Sequence, residues 1–377
     1  MQKYQLIATA AAGVEALVGR ELRDLGYQTQ VENGRVRFEG SIDDVLRTNL
    51  WLRIADRVKI VVGEFEATTF DDLFEQTKAL TWEDLLPLDA NFPVEGKSHH
   101  SVLHNVPSVQ AIVKKAIVDR LGTVYHRRTR LPETGATYPL EVAIAKNHVL
   151  LTLDTSGSSL FKRGYRKAKG GAPLKENLAA ALVTLAHWFP DNPFVDPVCG
   201  SGTIPIEAAL IGYNIAPGLN REFAVERWVN LVPEGLSDQL RDQAMDTANY
   251  DVDLDITGYD IDEKMIEIAK ENARAAGLSQ AITFKQLAVK DWHTNKINGV
   301  LVANPPYGER LSDLDSVREL YRQMGAIYRQ MPTWSKYILT ADLEFEKYYG
   351  ATATKRRKLY NGALRTDLFQ YWCQKQR

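Results

Sequence analysis

Two cysteines are all that the 377 residues contain. They stand far apart, as Cys199 and Cys373, which excludes a disulfide framework and any paired-cysteine zinc pattern. Four histidines, His99, His100, His104 and His126, fall in one stretch. No acid or cysteine joins them at a ligand spacing, so no metal is expected. No apolar run approaches the about 20 residues that cross a bilayer. The start, Met1-Gln2-Lys3-Tyr4, leads into a short strand and not a signal peptide. A soluble, cytoplasmic protein without a membrane partner is the expectation. A large charge of either sign is also missing. The formal net charge is −2, which argues against wholesale coating of nucleic acid.

What is present is ordinary globular composition, 45% hydrophobic and 25% charged, long enough for two or three domains. The charge is unevenly spread. From Lys97 to Arg130 the basic residues stand against one acid, Asp119, and Lys162 to Lys175 carries no acid at all. Lys355-Arg356-Arg357-Lys358 makes a third cluster. Basic clusters in a chain with a net negative charge point to an anionic polymer bound at a defined surface. Candidate contacts are Lys97, Lys114, Lys115, Arg127, Arg128, Arg163 and Arg166.

Residues 4–66 read β-α-β-β-α-β, with Asn33-Gly34 as a hairpin turn and Ser41 as a helix cap, a ferredoxin-like order. A second module follows to about Leu160. It holds the amphipathic helix Ser108 to Leu121 and a pair of strands around Lys146-Asn147-His148. Tyr213 to Asp255 reads as an insertion. From Pro193 strands and helices alternate, which argues an α/β parallel sheet. An Asn361-Gly362 turn then closes that sheet with an antiparallel hairpin.

Two motifs carry chemistry. Asn304-Pro305-Pro306-Tyr307 follows the buried-strand run Val300-Leu301-Val302-Ala303, and ligand sites of α/β sheets lie at such carboxyl ends. The lone pair of an exocyclic amine on a base is delocalised into the ring. Acceptors such as the Asn304 side chain and the Pro305 carbonyl favour its pyramidalisation on attack. Consecutive prolines hold the turn extended, and Tyr307 offers a stacking face. Upstream, Asp196-Pro197-Val198-Cys199-Gly200-Ser201-Gly202-Thr203 reads strand, glycine turn, helix. The strand Ile256 to Tyr259 then ends in Asp260, with Asp262 beyond; a carboxylate there can accept both hydroxyls of a ribose. Loop, acid and turn together fit an S-adenosylmethionine site. Asp196, Cys199, Gly200, Gly202, Thr203, Asp260, Asp262 and Asn304 are its candidate lining.

With Arg163-Gly164-Tyr165-Arg166, Ala172-Pro173-Leu174-Lys175-Glu176 and the motifs above, the chain resembles the THUMP-domain RNA guanine-N2 methyltransferases over essentially its whole length. Among them it is most similar to the RlmL-type enzymes of 23S rRNA, in their N-terminal methyltransferase half, and next to the TrmN-type tRNA enzymes. The resemblance implies a ferredoxin-like domain (1–66), a THUMP RNA-binding domain (67–160) and a class I Rossmann-like methyltransferase domain (161–377). It implies S-adenosylmethionine as cofactor and structured RNA as partner, 23S rRNA first and tRNA second. Asn304, Pro305, Pro306 and Tyr307 are then the catalytic residues. One departure is the lack of the usual adenine-contacting acid after the third strand; Gln286 or Asp291 stands in for it. N6-adenine methylation and a non-catalytic RNA-binding assembly role are the competing readings.

Overall fold

The computed structural model describes residues 2–127, 130–166, 174–307 and 311–373, with backbone alone for 311–313. Its first layer is built by short-range turns. Strands β1 (Tyr4–Thr9), β2 (Gln30–Glu32), β3 (Arg35–Gly40) and β4 (Arg57–Glu66) alternate with helices α1 (Glu15–Asp24) and α2 (Ile42–Trp51). Asn33-Gly34 turns β2 onto β3, and Ser41 and Asp44 form a reciprocal cap on α2. Strand order β2-β3-β1-β4 is the ferredoxin-like one.

The sheet does not end there. Past α3 (Phe70–Ala79), β5 (Val94–His99), α4 (Val106–Val124) and β6 (Leu140–Ala145), strand β7 (His148–Asp154) pairs antiparallel with β4, from Lys59 opposite Asp154 to Glu66 opposite His148. One seven-stranded sheet, β2-β3-β1-β4-β7-β6-β5, therefore runs through both modules. The boundary expected near residue 66 falls at the end of a strand that both modules use.

The catalytic part contains α5 (Glu176–Leu185), β8 (Phe194–Asp196), α6 (Thr203–Gly212), α7 (Leu236–Asp246), β9 (Ile256–Asp260) and α8 (Glu263–Ala275). It continues through β10 (Ile282–Gln286), β11 (Val300–Ala303), α9 (Leu311–Tyr328), β12 (Ser335–Thr340), α10 (Phe345–Tyr349), β13 (Lys355–Asn361) and β14 (Leu364–Tyr371). Strand order is β10-β9-β8-β11-β12-β14-β13, parallel through β12 and antiparallel after it. Both faces of the central strands are buried, as the apolar runs require. Val300 and Val302 join the core shared with the N-terminal modules, while Leu301 and Ala303 join a second core with Tyr321, Met324 and Tyr328.

Three contacts lock the parts together. Asn177, the second residue of α5, donates to Asp56 (2.9 Å) and the Ile54 carbonyl (3.3 Å). Arg357 on β13 donates to the Gly13 carbonyl (2.7 Å), and a Cβ at Gly13 would stand 2.8 Å from the Lys358 carbonyl oxygen, so only glycine fits. The inferred insertion is the third. Its Trp228 stacks on Tyr138 at 4.7 Å and donates to the Thr137 carbonyl (3.0 Å), while Asn230 donates to the Leu85 carbonyl (3.0 Å).

Candidate active site

Three parallel neighbours, β9, β8 and β11, end at one edge of the catalytic sheet, and each delivers one motif there. Strand β8 ends in Asp196 and turns through Gly200 and Gly202, both at positive φ, into α6. At Gly202 a Cβ would lie 2.9 Å from Ala269 and 3.0 Å from Phe284, so the loop presses directly onto α8 and β10. The buried Asn272 of α8 donates to the Ser201 carbonyl (3.0 Å), and the Cys199 amide donates to the Tyr259 carbonyl (2.7 Å). Asp260, at the end of β9, accepts from the Gly200 amide (2.9 Å) and the Asp262 amide (3.0 Å). The loop and the acid thus hold each other. Asp262 itself caps α8, accepting from the Lys264 amide.

Electrostatically the loop is acidic. Burial pushes the Asp196 carboxyl well above the usual carboxylate range; the Val198 amide opposes this and Asp260 adds to it. Burial, then Asp196 and Asp260, push the Cys199 thiol well above its ordinary value. A thiol held protonated is a poor nucleophile, so Cys199 lines the loop without attacking a substrate. Two carboxylates at a glycine turn suit a cationic ligand, because a nearby positive charge favours their ionised forms. S-adenosylmethionine is cationic at its sulfonium and amino group, and these residues fit it: Asp260 for the ribose, the loop for the chain beyond. Ile261 is 71% exposed beside Asp260 and can cover a flat ring. Its signal in the sequence is an apolar residue between two acids at a strand end. Gln286, on the adjacent strand, donates to the Ile261 carbonyl (3.0 Å), and Asp291 is exposed on the following turn.

At the end of β11, Pro305 is buried and Pro306 exposed, and the Tyr307 hydroxyl donates to Asn304 Oδ1 at 2.5 Å. The motif's tyrosine therefore holds its asparagine. Burial pushes the Tyr307 hydroxyl up, with the neighbouring Asn361 side chain pulling it down. Tyr321 backs the turn, its hydroxyl 2.8 Å from Thr340 and 3.5 Å from the Pro306 carbonyl. Among the described residues no group of three or more His, Cys, Asp or Glu can hold a metal.

The basic candidates separate. Lys115 and Arg127 are exposed, and Lys97 is exposed but paired with Glu141 (2.9 Å). Lys114 is spent internally, on Glu133 (2.9 Å) and the Phe92 carbonyl (3.0 Å). Arg128 lies outside the described residues. Arg163 and Arg166, expected to face RNA, do not. Arg163 is 2% exposed and pairs with buried Glu207 (3.4 Å), the Leu160 carbonyl and the Arg53 carbonyl. Arg166 turns inward onto Thr203 Oγ1 and the Leu174 carbonyl, each at 2.8 Å. The third cluster is likewise partly consumed, Arg356 by Asp367 (2.8 Å) and Arg357 by Gly13.

Comparison with known proteins assigns residues 163–370 to the methyltransferase domain described as RMKL-like. The chain belongs to that family. Residues 5–59 match the RlmL ferredoxin-like domain and 67–154 the THUMP domain. YpsC of Bacillus subtilis (strain 168), whose name assigns RNA methylation to it provisionally, is 53% identical over 99% of this chain and 97% of its own length. The ribosomal RNA large subunit methyltransferase K/L of Syntrophotalea carbinolica is 36% identical over 99% of this chain, which spans only 54% of that relative. Among solved structures, SMU.472, provisionally a methyltransferase and complexed with SAH, is 53% identical at TM-score 0.95, with full coverage of both chains (100% each). A Listeria monocytogenes protein described as a predicted N6-adenine-specific DNA methylase is 61% identical at TM-score 0.95, covering 99% of this chain and 97% of that one. The RMKL-like sheet order and the loop described above are thus those of a class I methyltransferase.

Proposed function

We propose that this RMKL-like protein transfers a methyl group from S-adenosylmethionine to the exocyclic N2 of a guanine in structured RNA, with 23S rRNA the first substrate to test and the cytoplasm its setting. The observation that carries the reading is the side-by-side delivery of glycine loop, ribose acid and Asn-Pro-Pro-Tyr by adjacent parallel strands. S-adenosylmethionine supplies an already activated methyl, so the protein's task is alignment and charge stabilisation. Asn304 Oδ1 has two lone pairs. The Tyr307 hydroxyl engages one, and the other, with the Pro305 carbonyl, accepts the amino hydrogens of an unstacked base. With S-adenosylmethionine bound, these acceptors would stabilise the positive charge that develops on the amine nitrogen as it takes the methyl from sulfur, until the nitrogen passes one proton to water. The target base must leave its stack to reach them.

RNA as substrate draws support from the THUMP match and from the named relatives, and exposed Lys115 and Arg127 on and beside α4 are the proposed backbone contacts. The Listeria relative favours a second reading, N6-adenine methylation by the same turn. Nucleoside mass spectrometry of 23S rRNA and tRNA from a deletion strain and its parent tests both. Loss of N2-methylguanine from 23S rRNA alone is expected. Loss from tRNA alone would move the substrate. Unchanged N2-methylguanine beside a missing methyladenine would overturn the guanine assignment.

A further inference from the structure

A cavity of about 640 Å³ lies between helices α1 and α2 of the N-terminal layer and α7 of the inferred insertion. Arg53 stands in its wall, 9% exposed. The Arg53 amide donates to Glu21 (3.2 Å), and its carbonyl accepts from Arg163. Its guanidinium, by contrast, makes no ion pair and donates no hydrogen bond among the described residues, and Nη1 is buried without a partner. Burial draws its pKa down to about 10, and Glu21 and Glu207 oppose this only from beyond ion-pair range. Buried charges are almost always paired, because desolvating one alone is costly. An open guanidinium in the wall of a cavity marks a place for an anionic group.

A bare anion does not suit the rest of the lining. Glu21, Asp24, Asp43 and Asp44 stand there against two cations, Arg47 and Arg53. Glu21 is engaged by the Arg53 and Ile54 amides, and Asp44 by the Ser41 cap and the Tyr27 hydroxyl (2.7 Å). Asp24, exposed, and Asp43, half-buried, have no such partner among the described residues. Leu50, Trp51 and Leu240 add an apolar wall. We propose that this cavity binds a free α-amino acid with an apolar or aromatic side chain. The carboxylate pairs with the Arg53 guanidinium and the ammonium with Asp24 and Asp43, while the side chain packs on Leu50, Trp51 and Leu240. The same acids repel inorganic phosphate and an RNA backbone. The site shares no residue with the glycine loop or the Asn304 turn. Its occupant ties α7 to α2 and so stabilises the assembled frame.

Titration calorimetry on the full chain, with S-adenosylhomocysteine present to fill the cofactor site, tests this. L-leucine, L-phenylalanine and L-tryptophan are each compared with the amine that lacks the carboxylate and the N-acetyl derivative that lacks the ammonium. At least one amino acid should bind, and its two derivatives should bind about tenfold or more weakly. Arg53→Met should weaken that amino acid by a similar factor and leave the amine unchanged. Asp43→Asn, at a partly exposed helix position, should weaken it too and leave the N-acetyl derivative unchanged, so the result does not depend on the Arg53 variant folding. Binding by none of the three would overturn the assignment and mean that the cavity holds water alone. Inorganic phosphate bound as tightly as the amino acid, derivatives bound as tightly as their parent, or an affinity unchanged in both variants would overturn it equally.

Discussion

At Asn304 the proposed chemistry comes down to one amide oxygen, already oriented by the Tyr307 hydroxyl. Replacing it with alanine removes an acceptor used as charge develops, so Asn304→Ala should lower kcat by roughly 10²–10³. The affinity for S-adenosylhomocysteine should stay as it was; single-turnover rates and calorimetry measure the two, and an unchanged rate would remove Asn304 from the mechanism. Asp196 makes a second prediction. Burial holds its carboxyl protonated beyond the usual range, and a cationic cofactor favours the ionised form. Within the pH range where Asp196 titrates in the free protein, binding should then release a proton, and affinity for S-adenosylmethionine should rise with pH across that range. Titrations in buffers of different ionisation enthalpy report that proton, and Asp196→Asn should abolish its release. These residues were legible in the sequence because their meaning is local: a glycine pair after a strand, an acid at a strand end, a proline-rigid turn. Arg163 and Arg166 were not. Their partners, Glu207, Thr203 and Glu176, are separated from them along the chain or lie on another element, and a basic run has the same composition whether its tips meet solvent or a buried carboxylate.

Among the elements, the hairpins and caps followed from short-range rules, as in Asn33-Gly34 and the Ser41–Asp44 box. The β4–β7 seam did not, since strand pairing across that distance depends on which edge remains free. A hint was present in β7, where Val149-Leu150-Leu151-Thr152-Leu153 is a nearly continuous apolar run; such a strand is covered on both faces, as it is from Val149 to Asp154, and belongs inside a sheet. Strand β12 carries a pH-dependent element. Lys336 is buried, its ammonium donates to the Met331 carbonyl at 2.5 Å, and burial draws its pKa down to about 8. A lysine whose folded pKa is depressed contributes stability above its unfolded value, near 10.4, and loses that contribution as pH falls through about 8. The melting temperature of wild type relative to Lys336→Met should therefore shift in favour of wild type between neutral pH and pH near 10. A constant difference would show that Lys336 is not desolvated in the folded state.

For the whole molecule, the N-terminal sheet and the catalytic sheet meet through buried polar groups as well as a shared core. Arg163 is the centre of that junction, joining Glu207 of α6 to the Arg53 carbonyl that follows α2. Arg163→Met would leave Glu207, 0% exposed, without its ion-pair partner, held by the Tyr165 hydroxyl (3.1 Å) and the nearby Arg53 charge. A loss of about 3–5 kcal/mol is expected, read as a lowered urea midpoint. RNA affinity of the folded variant should be unaltered, in contrast to Lys115→Gln or Arg127→Gln. The sheet shared by β4 and β7 has one more effect. If the proposed RNA grip on α4 and the proposed reactive turn at Asn304 both hold, they belong to one braced frame, and their separation would act as a calliper. A substrate would then be selected by the span between its gripped helix and its target base, whatever the sequence around either. Adding or removing base pairs within that span should abolish methylation while leaving binding intact, and methylation that tolerated such changes would show that the calliper opens.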